Sequence, residues 1–401
     1  MKWFTAAAAG LLAASCLAGA TMAADTPGVT ANEIKIGNTM PYSGPASSYG
    51  AIGKVEAAFF NMVNDQGGVA GHKINFISYD DGYSPPKTLE QVRRLIEEDQ
   101  VAFLFQTLGT PTNSAIVRYV NQKNVPHLFV ATGAAKWGDY KQYPWTTGFQ
   151  PDYRSEAQIY AKYILKEKPD AKIAILYQND DFGKDYLAGV KEVLGDRYAK
   201  MVTEASYEPT DATIDSQIVS LQASGANVLL AAAAPKPAAQ AIRKVADLGW
   251  KPMFFMSNVS ISVGSVIAPA GVDKAVGLIS TGYLKDPTDH QWDNDPGNKQ
   301  WRAFMAKYMP GADLTDNNYV YGYAAATAML QVLKQCNGNF SRENIMKEAE
   351  DLHGLELPTV LPGIKASTSH TDHRPLKAMR LEKWDGKTWV LFGDIIEANA
   401  S

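Results

Sequence analysis

The stretch from Val101 to Tyr119, VAFLFQTLGTPTNSAIVRY, carries the residues best suited to holding a small anion. An apolar strand runs into a polar turn, QTLGTPTNS, and then into an amphipathic helix. Gly109 permits the tight turn, Thr110 is placed to cap the helix, and Pro111 sits where an early helical position tolerates a missing N–H. A helix start of this kind offers unpaired backbone N–H groups and hydroxyls, and the helix dipole favours negative charge there. Taken alone, a plain capped strand-to-helix junction is the commoner meaning of such a turn.

Other chemistry is sparse. The chain lacks G-x-S-x-G, G-x-x-x-x-G-K-[ST] and G-x-G-x-x-G, so hydrolase, nucleotide and dinucleotide readings have no anchor. Asp80, Asp81, Asp180, Asp181 and Asp185 stand near strand ends, where carboxylates can do acid–base work; capping and solvated turns account for them more simply. The six histidines form one cluster, His370-Thr371-Asp372-His373, which is short of ligands for a metal and reads as a solvated turn. No cofactor and no metal are expected.

The elements that must position these residues alternate. NEIKIGNTMP, KINFISYDD, VAFLFQ and PHLFVAT read as strands, separated by helices at AIGKVEAAFFNMVNDQGG, ended by Gly67 and Gly68, PKTLEQVRRLIEED and NSAIVRYVNQKN. Gly133 to Gln150 breaks the rhythm with Pro144 and two tryptophans. A second alternating block follows, with strands KIAILYQND, KMVTEASYE, NVLLAAAA and PMFFMSN. Two blocks of strand and helix imply an α/β fold with parallel sheets covered on both faces. Beyond Val276 come the strand VGLISTGYL, helices near NKQWRAFMAKYM and YVYGYAAATAMLQVLKQC, and a two-strand ribbon turning at Asp385-Gly386. Ligands of open α/β sheets bind outside the carboxyl ends of the strands. Those ends carry Tyr42 to Tyr49, Thr107 to Thr110 and Ala131 to Gly133 in one block, and Gln178 to Phe182 and Ser257 to Ser260 in the other.

With 401 residues, 46% hydrophobic and 20% charged, the chain can bury a large core in about two domains. A net charge of −4 without a Lys/Arg-rich run argues against nucleic acid or an anionic membrane as partner. Lys2, the apolar run that follows and the small residues Thr21 to Ala24 read as a secretory signal peptide over residues 1–24. The rival is a loose lipobox ending in Cys16, which would carry a lipid; Ala13 at its third position from the cysteine and the later cleavage site disfavour it. Cleavage near Ala24 leaves Cys336 alone, without a disulfide partner, as a buried helix-end residue.

IKIGNTMPYSGPASSYG, the turn NDQGGVAG at Asn64 to Gly71, the strand end Tyr79-Asp80-Asp81 and YQNDDFGK at Tyr177 to Lys184 together resemble the hydrophobic amino-acid class of periplasmic solute-binding proteins, the leucine/isoleucine/valine-binding type that serves ABC importers. The resemblance covers essentially the whole mature chain in matching order. It implies a type I periplasmic binding fold, two Rossmann-like lobes joined by three crossing strands that close on a ligand as a hinged clamp. The crossings fall near Thr147, Tyr283 and Ile364. Lobe one then comprises 25–147 plus 283–363, and lobe two 148–282 plus 364–401.

The resemblance also implies the site. A ligand carboxylate is held at Leu108, Gly109 and Thr110 and at Ala131, Thr132 and Gly133, with aromatic walls at Tyr49 and Phe182. A family threonine falls at Gly133, so Thr132 must replace its hydroxyl. The family glutamate that meets a ligand ammonium falls at Asn258 or Val259, and a family tyrosine falls at Ala233 or Ala234. A buried ammonium without a carboxylate is poorly compensated. This points to a carboxylate ligand without an ammonium, an aromatic acid, unless Asp180 or Asp181 supplies the charge. The implied protein is a periplasmic monomer handing a small carboxylate to a membrane permease, with branched-chain or other hydrophobic amino acids as the alternative ligands. A sensor of the same fold and a secreted enzyme are weaker readings, the first for want of a transmembrane or output segment and the second for want of motifs.

Overall fold

A computed structural model describes residues 26–397. The proposed leader and Cys16 lie outside the described residues. Eleven strands are arranged in two sheets among these residues: β1 (Glu33–Met40), β2 (Lys73–Asp80), β3 (Phe103–Phe105) and β4 (His127–Leu128) in one, and β5 (Ile173–Gln178), β6 (Val202–Tyr207), β7 (Val228–Ala232), β8 (Met253–Met256), β9 (Ile279–Gly282), β10 (Ala378–Trp384) and β11 (Trp389–Glu397) in the other.

The first sheet has the order β2-β1-β3-β4 and is wholly parallel. The inner strand β3 and its neighbour β4 are short and wholly buried, whereas β1 and β2 run to eight residues and β2, at the edge, is only partly buried. The second sheet runs β11-β10-β9-β8-β7-β5-β6, parallel from β6 to β9 and antiparallel where the terminal ribbon joins β9. The ribbon turns at Asp385 and Gly386 as its sequence demands, with Gly386 at φ +103°.

The helices anticipated between strands form where expected. The helix Gly50–Asp65 packs on Asn318–Gln335, and their close approach depends on Gly322, where a Cβ would lie 2.5 Å from a Val55 methyl. Phe59 stacks edge-on to Tyr323 at the same contact, with ring centroids 5.2 Å apart. Helices that the sequence reading does not assign also form, the longest being Arg342–Ala349, which Ser341 starts by accepting the Asn344 N–H at 3.3 Å. Cys336 ends the helix Asn318–Gln335 as a buried free thiol, and burial pushes it up to about 12. No helix among the described residues is long and apolar enough to cross a membrane.

Three segments pass between the sheets, and they brace one another. Gly148 donates to the His373 carbonyl at 3.0 Å and Leu376 to the Phe149 carbonyl at 3.2 Å, while Leu361 donates to Tyr283 at 2.9 Å. His373 therefore departs from the solvated turn read from its neighbours. It is buried, and its ring contacts the Thr146 carbonyl at 2.8 Å and the Glu350 carboxylate at 2.9 Å.

Candidate functional site

The carboxyl ends of the two sheets face each other across a cavity with about 70 Å³ open to the centre of a water molecule. A single water needs roughly 10–15 Å³ on that measure, so the cavity has room for several waters or a small ligand. Contacts across the cleft hold the lobes together: the Tyr49 hydroxyl donates to the Val259 carbonyl at 3.1 Å, Lys136 pairs with Asp181 at 2.7 Å, and Ser262 donates to Asp316 at 2.8 Å.

The turn after β3 forms one wall. Gln106 and Phe129, at the ends of β3 and β4, take the left-handed backbone at φ +54° and +55°, which turns each chain out of the sheet. Gly109, at φ +102°, is the residue that caps the helix Thr110–Gln122; Thr110 is instead its first residue. This corrects the capping role read from sequence, because no side chain caps this helix. The Thr110 hydroxyl turns to the Thr132 hydroxyl, 2.5 Å away. Neither Thr110 nor Thr112 finds an acceptor for its N–H among the described residues, and Pro111 has none to give. Below the turn, Asn113 donates to the carbonyls of Thr107 and Gly109 at 2.8 and 2.7 Å, and its oxygen meets the buried His127 ring at 3.0 Å. The turn is thus rigid from beneath and open in its N–H groups above, a geometry that suits an anion.

Of the residues singled out from sequence, Tyr49, Leu108, Gly109, Thr110, Ala131, Phe182 and Asn258 line the cavity. Thr132 and Gly133 stand behind it. Thr132 is buried against Thr110 and Trp137. At Gly133 a Cβ would lie 2.8 Å from the Tyr153 ring, so that ring occupies the space a threonine would need. Tyr153 lines the cavity with Phe182, their centroids 4.6 Å apart, and Tyr83 covers Gly109. Neither tyrosine stands out in the sequence: Tyr83 lies in a turn and Tyr153 opens the helix Tyr153–Glu167, and the approach of each to the cavity depends on the whole fold. Ala234 also lines the cavity, whereas Ala233 is buried in the second lobe.

The acids divide by environment. Asp180 caps the helix Asp181–Leu194 by accepting the Phe182 N–H at 2.9 Å, and Asp181 is paired with Lys136; neither lines the cavity. Asp80 holds its own turn with Ser43 and Gly82, Asp81 with Tyr83 and Thr88, and Asp185 takes the Ala135 N–H at 2.7 Å. Asn258 is not isolated from carboxylates. Its N–H and side-chain amide donate to buried Glu156 at 2.9 and 2.7 Å, and Tyr160, Tyr186 and Thr281 donate to the same group. Burial pushes Glu156 up to about 7 against the pull of these bonds. Two further buried acids, Asp286 and Glu382, line the cavity itself. Glu382 lies in a ribbon strand beside Lys383, where a charge reads in sequence as solvent-facing.

Residues 33–388 match the family described as periplasmic binding protein. A Leu/Ile/Val-binding protein homolog 1 of Brucella suis is 27% identical over 324 residues, covering 79% of this chain and 82% of that one. Among solved structures, a branched chain amino acid ABC transporter from Thermus thermophilus with bound valine shares the fold at TM-score 0.81 and 15% identity, covering 92% of this chain and 97% of the other. A fatty acid ABC transporter substrate-binding protein from Thermomonospora curvata does so at TM-score 0.78 and 21% identity, covering 93% and 94%. With two lobes built on parallel sheets, a cavity between their strand ends and a match spanning nearly all described residues, the chain belongs to the periplasmic binding protein family.

Proposed function

We propose that this chain is an extracytoplasmic solute-binding protein of an ABC importer, exported through a leader at residues 1–24 and acting as a monomer. It captures a small hydrophobic carboxylate between its lobes and presents it to a membrane permease. It performs no catalysis. The observation that carries this reading is the Thr110 turn, where a hydroxyl and unclaimed helix N–H groups open onto a ring-lined cavity. The hinge divides 25–147 plus 283–363 from 148–282 plus 364–401, a division supported by the mutual bracing of the three crossing segments. The rings of Tyr49, Tyr83, Tyr153 and Phe182, with the small Ala234 opposite, favour an aromatic body on the ligand.

A second reading, an amino acid of the branched-chain or hydrophobic kind, is supported by Glu382 and Asp286 in the cavity and by the names of the relatives. Titration calorimetry with benzoate-type acids and with leucine, isoleucine and valine separates the two. Tight leucine binding without benzoate binding would overturn the aromatic preference, and no binding by any carboxylate would overturn the function.

A further inference from the structure

His373 engages the crossing segments through both of its ring nitrogens. It lies in the third crossing segment and is 1% exposed. Its Nδ1 faces the Thr146 carbonyl at 2.8 Å, where the first crossing segment begins, and its Nε2 faces Glu350 Oε1 at 2.9 Å, at the end of the helix Arg342–Ala349. That helix is fixed beside the first sheet, because Arg342 donates to the Val101 and Ala102 carbonyls at 2.9 Å. The His373 carbonyl in turn takes the Gly148 N–H at 3.0 Å. One residue thus ties two crossing segments to each other and to the flank of the first sheet.

A carbonyl oxygen only accepts, and so does an ionised carboxylate. Burial alone would raise Glu350, but the bonds from His373 and His370 hold it below the usual carboxylate range, so it is ionised at neutral pH. Both His373 nitrogens must therefore donate at once, which only the doubly protonated, cationic ring can do. A neutral ring keeps one N–H and turns a lone pair on the oxygen facing its other nitrogen. One of the two bonds then becomes a repulsion.

The other charged and titratable groups around the ring have partners of their own or stand off from it. Exposed His370 meets the second Glu350 oxygen at 3.2 Å. The Tyr140 ring lies 6.1 Å from that of His373 and has Lys141 5.7 Å from its centre. Asp372 pairs with Arg374 at 3.2 Å and Lys377 at 2.7 Å, and Arg374 reaches Asp152 at 3.8 Å. His127 meets the hydroxyl of Thr146 rather than its carbonyl, at 3.4 Å. Glu350 is the anion bonded to the His373 ring.

We propose that His373 is a pH-sensitive pin of the hinge. Protonated, it fixes the angle at which the first and third crossing segments leave the first sheet. As pH rises through the histidine range, about 6–8, the proton passes to solvent, one ring bond is lost, and the lobes swing more freely about the crossing segments. The pin acts at the hinge and is independent of what the cavity binds.

Nitrogen NMR of labelled histidine rings in the whole protein tests the charge, with H373Q identifying the signals; both His373 nitrogens are expected to carry protons at about pH 5.5. Small-angle X-ray scattering of the ligand-free protein reads the hinge. The radius of gyration is expected to be larger at about pH 8.5 than at about pH 5.5 in the wild type, equal at the two in H373Q and E350Q, and still pH-dependent in H370Q. Over the same range the unfolding constant of the wild type is expected to rise about tenfold relative to H373Q, the size of one hydrogen bond to a charged group. If H373Q fails to fold, E350Q serves, since its uncharged amide can donate to a ring that lacks one proton. A His373 nitrogen without a proton at the acid end, a wild-type radius equal at both pH values, or a pH response retained in both H373Q and E350Q would overturn the pin. A response abolished by H370Q would overturn its assignment to His373.

Discussion

The hydroxyls of Thr110 and Thr132 stand 2.5 Å apart, one at the cavity wall and the other directly behind it. Thr110 is therefore aimed by Thr132, which also accepts from the Ala134 N–H and the Trp137 ring at 3.3 and 3.4 Å. Thr110→Val is expected to weaken binding of the carboxylate ligand by about 1–3 kcal/mol, the cost of leaving a charged group without its donor. Thr132→Val removes only the aiming contact and is expected to cost less. Calorimetry on both variants checks the order of the two effects; a larger loss from Thr132 would reverse their roles.

The left-handed backbone of Gly109 is a second sensitive point. A Cβ there would lie 2.5 Å from the Tyr83 ring and 2.6 Å from Thr112 Oγ1, in addition to the strain of φ +102°. Gly109→Ala is expected to lose about 1–3 kcal/mol of stability and to displace Tyr83 from the cavity. Chemical denaturation and ligand titration measure the two losses, and an unaffected melting curve would contradict the close approach.

Tyr49 bridges the lobes through its hydroxyl to the Val259 carbonyl. Tyr49→Phe keeps the ring and removes the bridge, so affinity is expected to fall by about 0.5–1.5 kcal/mol, mainly through faster release. Stopped-flow dissociation kinetics decide whether the bond acts as a latch; an unchanged release rate would show that it does not.

His127 lies beneath the Thr107–Thr110 turn, wholly buried, with its ring against Thr107, Asn113 and Thr146. Burial pushes it down to about 3. The unfolded chain therefore takes up a proton near pH 6.5 that the fold refuses, and stability is lost as pH falls from about 6.5 towards 3, at up to about 1.4 kcal/mol per pH unit. His127→Gln is expected to flatten that part of the stability-pH curve, as read by denaturant titration across the range. A curve of the same slope in both proteins would assign the acid sensitivity to other groups.

Much of this architecture was legible in the sequence because strand and helix periods are local signals. NEIKIGNTMP and KINFISYDD contain the neighbouring parallel strands β1 and β2, and Asp385-Gly386 turns the ribbon. The Thr110 turn was found because Gly, Thr and Pro have positional meaning at a helix start. Its finer role was misjudged: Gly109 caps the helix, and the threonine hydroxyl points to Thr132. Tyr83, Tyr153, Asp286 and Glu382 are not legible in the sequence because each reaches the cavity from an element other than the strand-to-helix turn that signals it: a turn, a helix start, a loop and a ribbon strand. Their local patterns carry no sign of burial. Glu382 in particular sits between Leu381 and Lys383, a pattern suited to a solvent-facing strand residue, and only the packing of β10 on β9 buries it.

A crystal structure of the wild-type protein with a ligand chosen by calorimetry tests the carboxylate assignment most directly. The expected result is a ligand carboxylate within hydrogen-bond distance of the Thr110 hydroxyl and the free N–H groups of the same turn. A carboxylate seated elsewhere in the cleft, or a ligand bound outside it, would contradict that assignment.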